Sequence, residues 1–342
     1  MRVVTVSIDY PSSAPRRRFA PQASVERILL AASLFWLVMS NQAFLGSALK
    51  GRAWGEPATW LFAGALAVAL VALHFLLLAL VANRYTVKPL LTLLFVATAF
   101  ATHYMERYGV FLDPSMLRNV VRTDVREASE LFTWSLVPHL LLWAVLPTVL
   151  LWRVRIHNRA WHHAALVRLG AIAIAAVALV GAVVLVFQPF SSLMRNQKEL
   201  RYLITPANYL WSAGSVVAAE TRGAAKPRAV IGMDAAMGPS WARRQRPTVL
   251  VLVVGETARA ANWGLSGYAR QTTPRLAQLP VVNFPDVTAC GTNTETSVPC
   301  LFAPVGRRDY DEARIRGSEG LLHVLAHAGV AVHWRDNQSG CK

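Results

Sequence analysis

Apolar residues dominate the first 190 positions in five long runs, near Ile28–Leu49, Trp60–Ala82, Leu90–Tyr104, Leu131–Trp152 and Leu169–Phe187. A helix crosses a bilayer with about 20 such residues. Runs such as Ala171–Phe187 carry no polar face, so the pattern predicts membrane spans rather than core helices of a soluble fold. The third run is the shortest and holds His103. The segment Glu106–Glu130 has its own helical period at Met116, Val120 and Val121, which predicts an amphipathic stretch at the membrane surface. A second surface helix is predicted over Ser191–Leu203, where Leu193, Leu200 and Leu203 interleave with Arg195, Lys198 and Arg201.

Gly223–Arg246, rich in Ala, Gly, Pro and Arg, reads as a linker. Beyond it the pattern changes. Thr248–Val254 is a continuous apolar run, predicting a strand buried on both faces. Further strands are predicted at Phe284–Thr288 and Val330–Trp334. Pro274 opens a short predicted helix within Tyr268–Leu279, and Glu319–Gly329 reads as a helix that stops at its glycine. Such alternation predicts an α/β domain with a mostly parallel sheet. The expected organisation is a basic tail (residues 1–25), an α-helical transmembrane domain of about five spans (26–189), a surface helix and linker (190–246), and the first part of the α/β domain (247–342).

Composition agrees with a half-embedded chain: 54% of the 342 residues are hydrophobic and 16% charged. The formal charge of +16 lies largely where topology needs it. Eleven basic residues precede span one or join spans two to three and four to five, among them Arg16, Arg17, Arg18, Arg84, Lys88, Arg153 and Arg168. The opposite loops hold six, from Lys50 to Arg126. The amino terminus is therefore expected in the cytoplasm and everything after Phe187 outside it. The first run is too long for the core of a cleaved signal peptide. No aromatic-interleaved basic patch accompanies the charge, which argues against a nucleic-acid partner. Trp54, Trp60 and Trp152 sit at span ends, as interfacial anchors do.

The exported part holds all three cysteines, and an oxidising compartment permits a Cys290–Cys300 disulfide, leaving Cys341 odd. Glu256 follows the predicted strand 248–254, at the end where open α/β sheets bind ligands. It either ligates a divalent metal or caps the next helix. The segment Cys290–Cys300 offers Thr292, Thr294, Thr296 and Ser297. Either one hydroxyl is a nucleophile activated by a base or metal, or the segment is a polar surface loop. His323 and His327 lack the glutamate of a zincin helix and read as a solvated face. His162 and His163 fall in a basic cytoplasmic loop, and His74, His103 and His139 read as packing groups in or beside spans.

Taken together, Gly255-Glu256-Thr257-Ala258-Arg259-Ala260, Gly267-Tyr268 with Thr272-Thr273-Pro274, Cys290-Gly291-Thr292-x-Thr294 through Ser297-Val298-Pro299-Cys300, Trp334-Arg335-Asp336-Asn337 with Ser339-Gly340-Cys341-Lys342, and Arg195-Asn196 with Lys198-Glu199-Leu200-Arg201-Tyr202 resemble the phosphoethanolamine–lipid A transferases, the family that includes the mobile colistin resistance enzymes. The resemblance implies a zinc enzyme of the alkaline phosphatase/sulfatase superfamily in the inner membrane of a Gram-negative cell, its catalytic domain in the periplasm. Phosphatidylethanolamine would be the donor and a lipid A phosphate the acceptor, with membrane lipids around the anchor. By motif position Thr294 is implied as the nucleophile, Glu256 and Thr294 as zinc ligands, and Thr292, Ser339 and Lys342 as contacts to phosphoethanolamine. Asn119 and Glu127 match positions on the membrane-side substrate path. Ala261 stands where the family usually has Asp, and Gln338 where it usually has Asn. Family members continue well past the position of Lys342 with an Asp-His zinc pair, so the chain is expected to be truncated and inactive alone. The rivals are transfer of another head group, such as phosphoglycerol, and a non-catalytic membrane remnant.

Overall fold

The computed structural model of the chain describes residues 21–123, 128–129, 131–223, 227–255 and 258–335. Glu127, Glu256, Ser339 and Lys342 lie outside the described residues. The chain divides into two compact units, one drawn from Met1–Pro114 and Val125–Gly214, the other from Ser115–Asp124 and Ser215–Lys342.

The first unit is helical. A two-residue strand β1 (Gln22–Ala23) leads into α1 (Val25–Ser40) and α2 (Gln42–Ala48), then α3 (Pro57–Val81) and α4 (Val87–Tyr108). After α5 (Pro114–Arg122), which belongs mostly to the second unit, come α6 (Leu136–Arg153), β2 (Arg155–Ile156), α7 (Trp161–Leu185), α8 (Phe187–Asn196) and α9 (Ala207–Gly223), which passes into the second unit at Ser215. α3, α4, α6 and α7 are long and apolar enough to cross a membrane, and α1 with α2 makes a fifth candidate bent by 63°. Four of the five expected spans are thus present as single helices, and the first is a fifth only if the bent pair counts as one span. Side chains point out along these helices because lipid, not water, is the expected neighbour: Leu80, Val149, Ile174 and Val184 are all exposed.

The bend between α1 and α2 was not in the hydropathy pattern. It falls at Asn41, whose fully buried amide donates to the carbonyls of Trp36 (2.9 Å) and Thr205 (2.8 Å) and accepts from the Thr205 amide (3.1 Å). A side chain that binds remote backbone on both its donor and acceptor sides competes with helix continuation. α6 carries a π turn at Leu141–Val145, just before Pro147, which has no amide to donate back. The core packs Leu29 and Trp36 of α1 against Phe75 and Leu78 of α3 and Leu91 and Phe95 of α4. Glu26 pairs with Arg159 (3.5 Å) and Arg168 (3.8 Å), tying α1 to the start of α7. α7 begins earlier than expected, so His162 and His163 stand in its first turn rather than in a loop. The membrane histidines are packing groups: His139 stacks on Trp143 at 4.3 Å and meets Thr102 Oγ1 at 2.9 Å, and His74 lies against Trp36.

The expected surface helix is α8 followed by a 3₁₀ turn, Lys198–Leu203, with Leu200 and Leu203 buried. α9 has no counterpart in the expectations, because its Ala- and Gly-rich sequence shows no strong apolar stripe.

The second unit holds, besides the end of α9, the α-helices α5, α10 (Thr294–Phe302), α11 (Glu312–Gly317) and α12 (Leu321–His327), with a turn of helix at Pro239–Ala242. α12 stops at Gly329, whose φ of +80° suits only glycine well. Besides the parallel pair β1–β2 of the first unit, an isolated parallel bridge joins Ala229 to Ser318 in the second. The segments expected as strands, 248–254, 284–288 and 330–334, form no ladder among the described residues. A strand is an element only when neighbours complete its hydrogen bonds. Val249 to Val253 remain 63–88% exposed, so this apolar run has neither ladder partners nor covering helices in the part described. The helix expected to open at Pro274 is only a 3₁₀ turn, Leu276–Gln278.

Candidate active site

The Cys290–Cys300 segment is not the loop the sequence suggested; it is largely helix. Asn293 takes extended geometry (φ −123°, ψ 157°) and its side chain accepts the Thr296 amide at 2.9 Å, while its carbonyl accepts the Ser297 amide at 3.0 Å. That is the N-cap arrangement for which asparagine is favoured. Thr294 is consequently the first residue of α10, half-buried at the end where aligned peptide dipoles favour negative charge. Thr292 precedes the cap and is exposed.

Two devices hold this helix end. Cys290 and Cys300 are joined in a disulfide, Cα to Cα 6.4 Å, so the chain entering the helix is bonded to its seventh residue. Cys300 is buried with Val305 and Ile315. Gly291 supplies the second: a Cβ there would stand 2.6 Å from Thr296 Cγ2, so the entry strand and first turn approach closely only because the residue is glycine.

Behind Thr294 lies a cluster that sequence reasoning did not find. Glu295 is buried, its side chain 2% exposed, and it meets Arg118 of α5 (Nε to Oε1, 3.5 Å) and Arg316 of α11. Arg118 also reaches Glu312, which pairs with Arg316 Nε at 3.0 Å. Two cations and two anions thus close a ring, meeting the demand that buried charge be paired. Burial works against the Arg316 charge, but the Glu295 and Glu312 carboxylates outweigh it and hold its pKa above the ordinary value. Burial, reinforced by Glu312, pushes the Tyr310 phenol up, while a hydrogen bond with Thr296 and the two guanidiniums pull the other way. One local signal was legible: Glu312 and Arg316 are four apart on a helix. The rest was not, since Arg118 and Glu295 are remote in sequence.

Asn119, next to Arg118 on α5, is half-buried, and its carbonyl accepts the Thr123 hydroxyl at 2.8 Å. The ion pairs therefore tie together the helices that carry Asn119 and Thr294, two of the expected site residues. His327 Nε2 lies 3.6 Å from Glu319 and the His323 ring accepts the Gly320 amide at 3.3 Å. Among the described residues no group of three or more His, Cys, Asp or Glu is placed to hold a metal.

Two family models match this architecture, "Phosphoethanolamine transferase EptA/EptB" over residues 70–221 and "Sulfatase" over residues 248–342. The chain belongs to the phosphoethanolamine transferase family. Phosphatidylethanolamine transferase Mcr-1 of Escherichia coli is 35% identical over 263 residues, covering 76% of this chain and 48% of that protein. Phosphoethanolamine transferase EptA of Escherichia coli K12 is 34% identical over 256 residues, or 75% of this chain and 47% of the relative. Among solved structures, the integral membrane lipooligosaccharide phosphoethanolamine transferase A (EptA) from Neisseria meningitidis matches with a TM-score of 0.80 and 32% identity, over 94% of this chain and 60% of that one. The chain spans about half the length of the curated relatives it matches. Its organisation is that of the family, a helical membrane region followed by a sulfatase-like domain.

Proposed function

We propose that the chain carries the membrane anchor and the nucleophile of an enzyme that moves phosphoethanolamine from phosphatidylethanolamine to a phosphate of lipid A. The reaction takes place at the periplasmic face of the inner membrane, the side that the basic loops assign to everything after Phe187. The observation that carries the reading is Thr294: a half-buried hydroxyl at the first position of a capped, disulfide-tied helix, inside the segment matched to the sulfatases. In the first step the Thr294 oxygen bonds to phosphorus and the ester bond to diacylglycerol breaks. Diacylglycerol leaves with the proton that threonine gives up. In the second, an oxygen of the acceptor phosphate takes the phosphoethanolamine group and Thr294 regains its proton. The positive end of α10 favours the charge that develops on the transferring group. Asn119, Glu127, Thr292, Ser339 and Lys342 belong to the binding of that group in this reading.

Zinc, with Glu256 and Thr294 among its ligands, is the expected cofactor. Oxygen donors of this type suit it, but a tetrahedral site takes four ligands and the described residues do not assemble them. The test uses a full-length counterpart that contains this sequence, in liposomes with labelled phosphatidylethanolamine, and a parallel arm with labelled phosphatidylglycerol. Diacylglycerol release from the ethanolamine lipid is expected, abolished by Thr294→Ala and by a chelator, and restored after chelation by zinc. Release from the glycerol lipid instead, or release unaffected by Thr294→Ala, contradicts the reading.

A further inference from the structure

Arg118 occupies a position whose role is not explained by stability alone. Its guanidinium, in a residue 9% exposed, bridges two carboxylates on two separate helices, Glu295 on α10 and Glu312 on α11. A buried ion pair is often no more stabilising than well-packed apolar groups of the same volume. What it confers is direction: one nitrogen of a rigid planar fork donates to Glu312 while the charge at its Nε edge, which makes no hydrogen bond, faces Glu295 at 3.5 Å, a two-point geometry that a lysine ammonium does not reproduce. The residue after Arg118 is Asn119, and the residue before Glu295 is Thr294.

We propose that Arg118 is a positioning residue that sets the Thr294 end of α10 against α5 and its Asn119, using Glu295 and Glu312 as the two points of attachment. The role in transfer rests on the reading of Thr294 as nucleophile; the mechanical coupling does not. Because near-attack geometry tolerates little error, a shift of about 1 Å at the nucleophile costs on the order of 100-fold in rate. The effect falls on the chemical step, since Arg118 itself touches no substrate in this account.

Arg118→Met, Arg118→Lys and wild type are compared in a full-length counterpart that contains this sequence, in detergent micelles or liposomes. Amide hydrogen exchange is read at Thr296 and Ser297, both held by Asn293, and transfer is read as kcat and KM for the donor lipid. Arg118→Met is expected to speed exchange at these amides by about tenfold or more while α3 and α7 keep wild-type protection. It is expected to lower kcat about 100-fold and leave KM nearly unchanged. Arg118→Lys, charged but without the fork, is expected to keep the fold and remain about tenfold or more below wild type in kcat. Unchanged exchange in a folded Arg118→Met protein, or full recovery of kcat in Arg118→Lys, overturns the proposal. If the methionine variant does not fold, the lysine variant decides by the same two readouts. Should wild type transfer nothing while exchange responds as described, the coupling stands and the proposed function fails.

Discussion

Opening the Cys290–Cys300 bond is the sharpest perturbation of the candidate site, because it leaves every polar side chain there in place. The cystines are ten residues apart in sequence. On the chain-entropy model a loop of that length restricts the unfolded chain by about 2.7 kcal/mol at room temperature. Replacing both residues by alanine also deletes the sulfur of Cys300 that packs with Val305 and Ile315, worth about 1 kcal/mol more. Reduction of wild type and the Cys290→Ala/Cys300→Ala variant should therefore differ. Since 1.4 kcal/mol is about a factor of ten, reduction should raise the opening constant of the second unit about 100-fold, and the double variant several hundredfold. Hydrogen exchange of the α10 amides, measured under native conditions with and without reductant, reads both numbers, while α3 and α7 serve as internal controls. If reduction leaves α10 as protected as before, the bond does not hold that helix and the reasoning fails.

Two other substitutions probe single supports. Asn293→Ala removes the cap of α10 and is expected to cost about 1 kcal/mol, seen as a several-fold rise in exchange at Thr296; no rise would mean the cap is idle. Asn41→Ala strips three buried hydrogen bonds at the α1–α2 bend, two to Thr205 and one to the Trp36 carbonyl, and is expected to lower stability of the membrane unit by about 2–4 kcal/mol in detergent-denaturation titrations. A loss under about 0.5 kcal/mol would mean that the bend is held by something else.

Hydropathy carried the membrane region well, for a physical reason: in lipid the backbone must satisfy itself, so an apolar run of sufficient length has one structural outcome. What it missed were features decided at long range. The break at Asn41 depends on Thr205, and the ring around Glu295 depends on Arg118, each partner far along the chain. α10 escaped because Thr, Ser and Pro are poor helix formers, although Asn293 before Thr294 and Glu295 in the first turn are start signals that were there to be read. The run at 248–254 shows the opposite limit. Its apolar, β-branched content expresses a capacity to be a buried strand, but a ladder needs neighbours that no single segment encodes. Thr294 was legible as a chemical candidate from its motif; its place at a helix end, and what fixes that end, came only from the fold.

The central claim is that the Thr294 oxygen takes up the phosphoethanolamine group. Mass spectrometry of the peptide spanning Cys290 to Phe302, after a full-length counterpart that contains this sequence has been incubated with phosphatidylethanolamine and no acceptor, tests it directly. The account expects a phosphoethanolamine adduct on Thr294, absent in Thr294→Ala and discharged when an acceptor phosphate lipid is added. Diacylglycerol release with an unmodified Thr294, or an adduct on another residue, would contradict it.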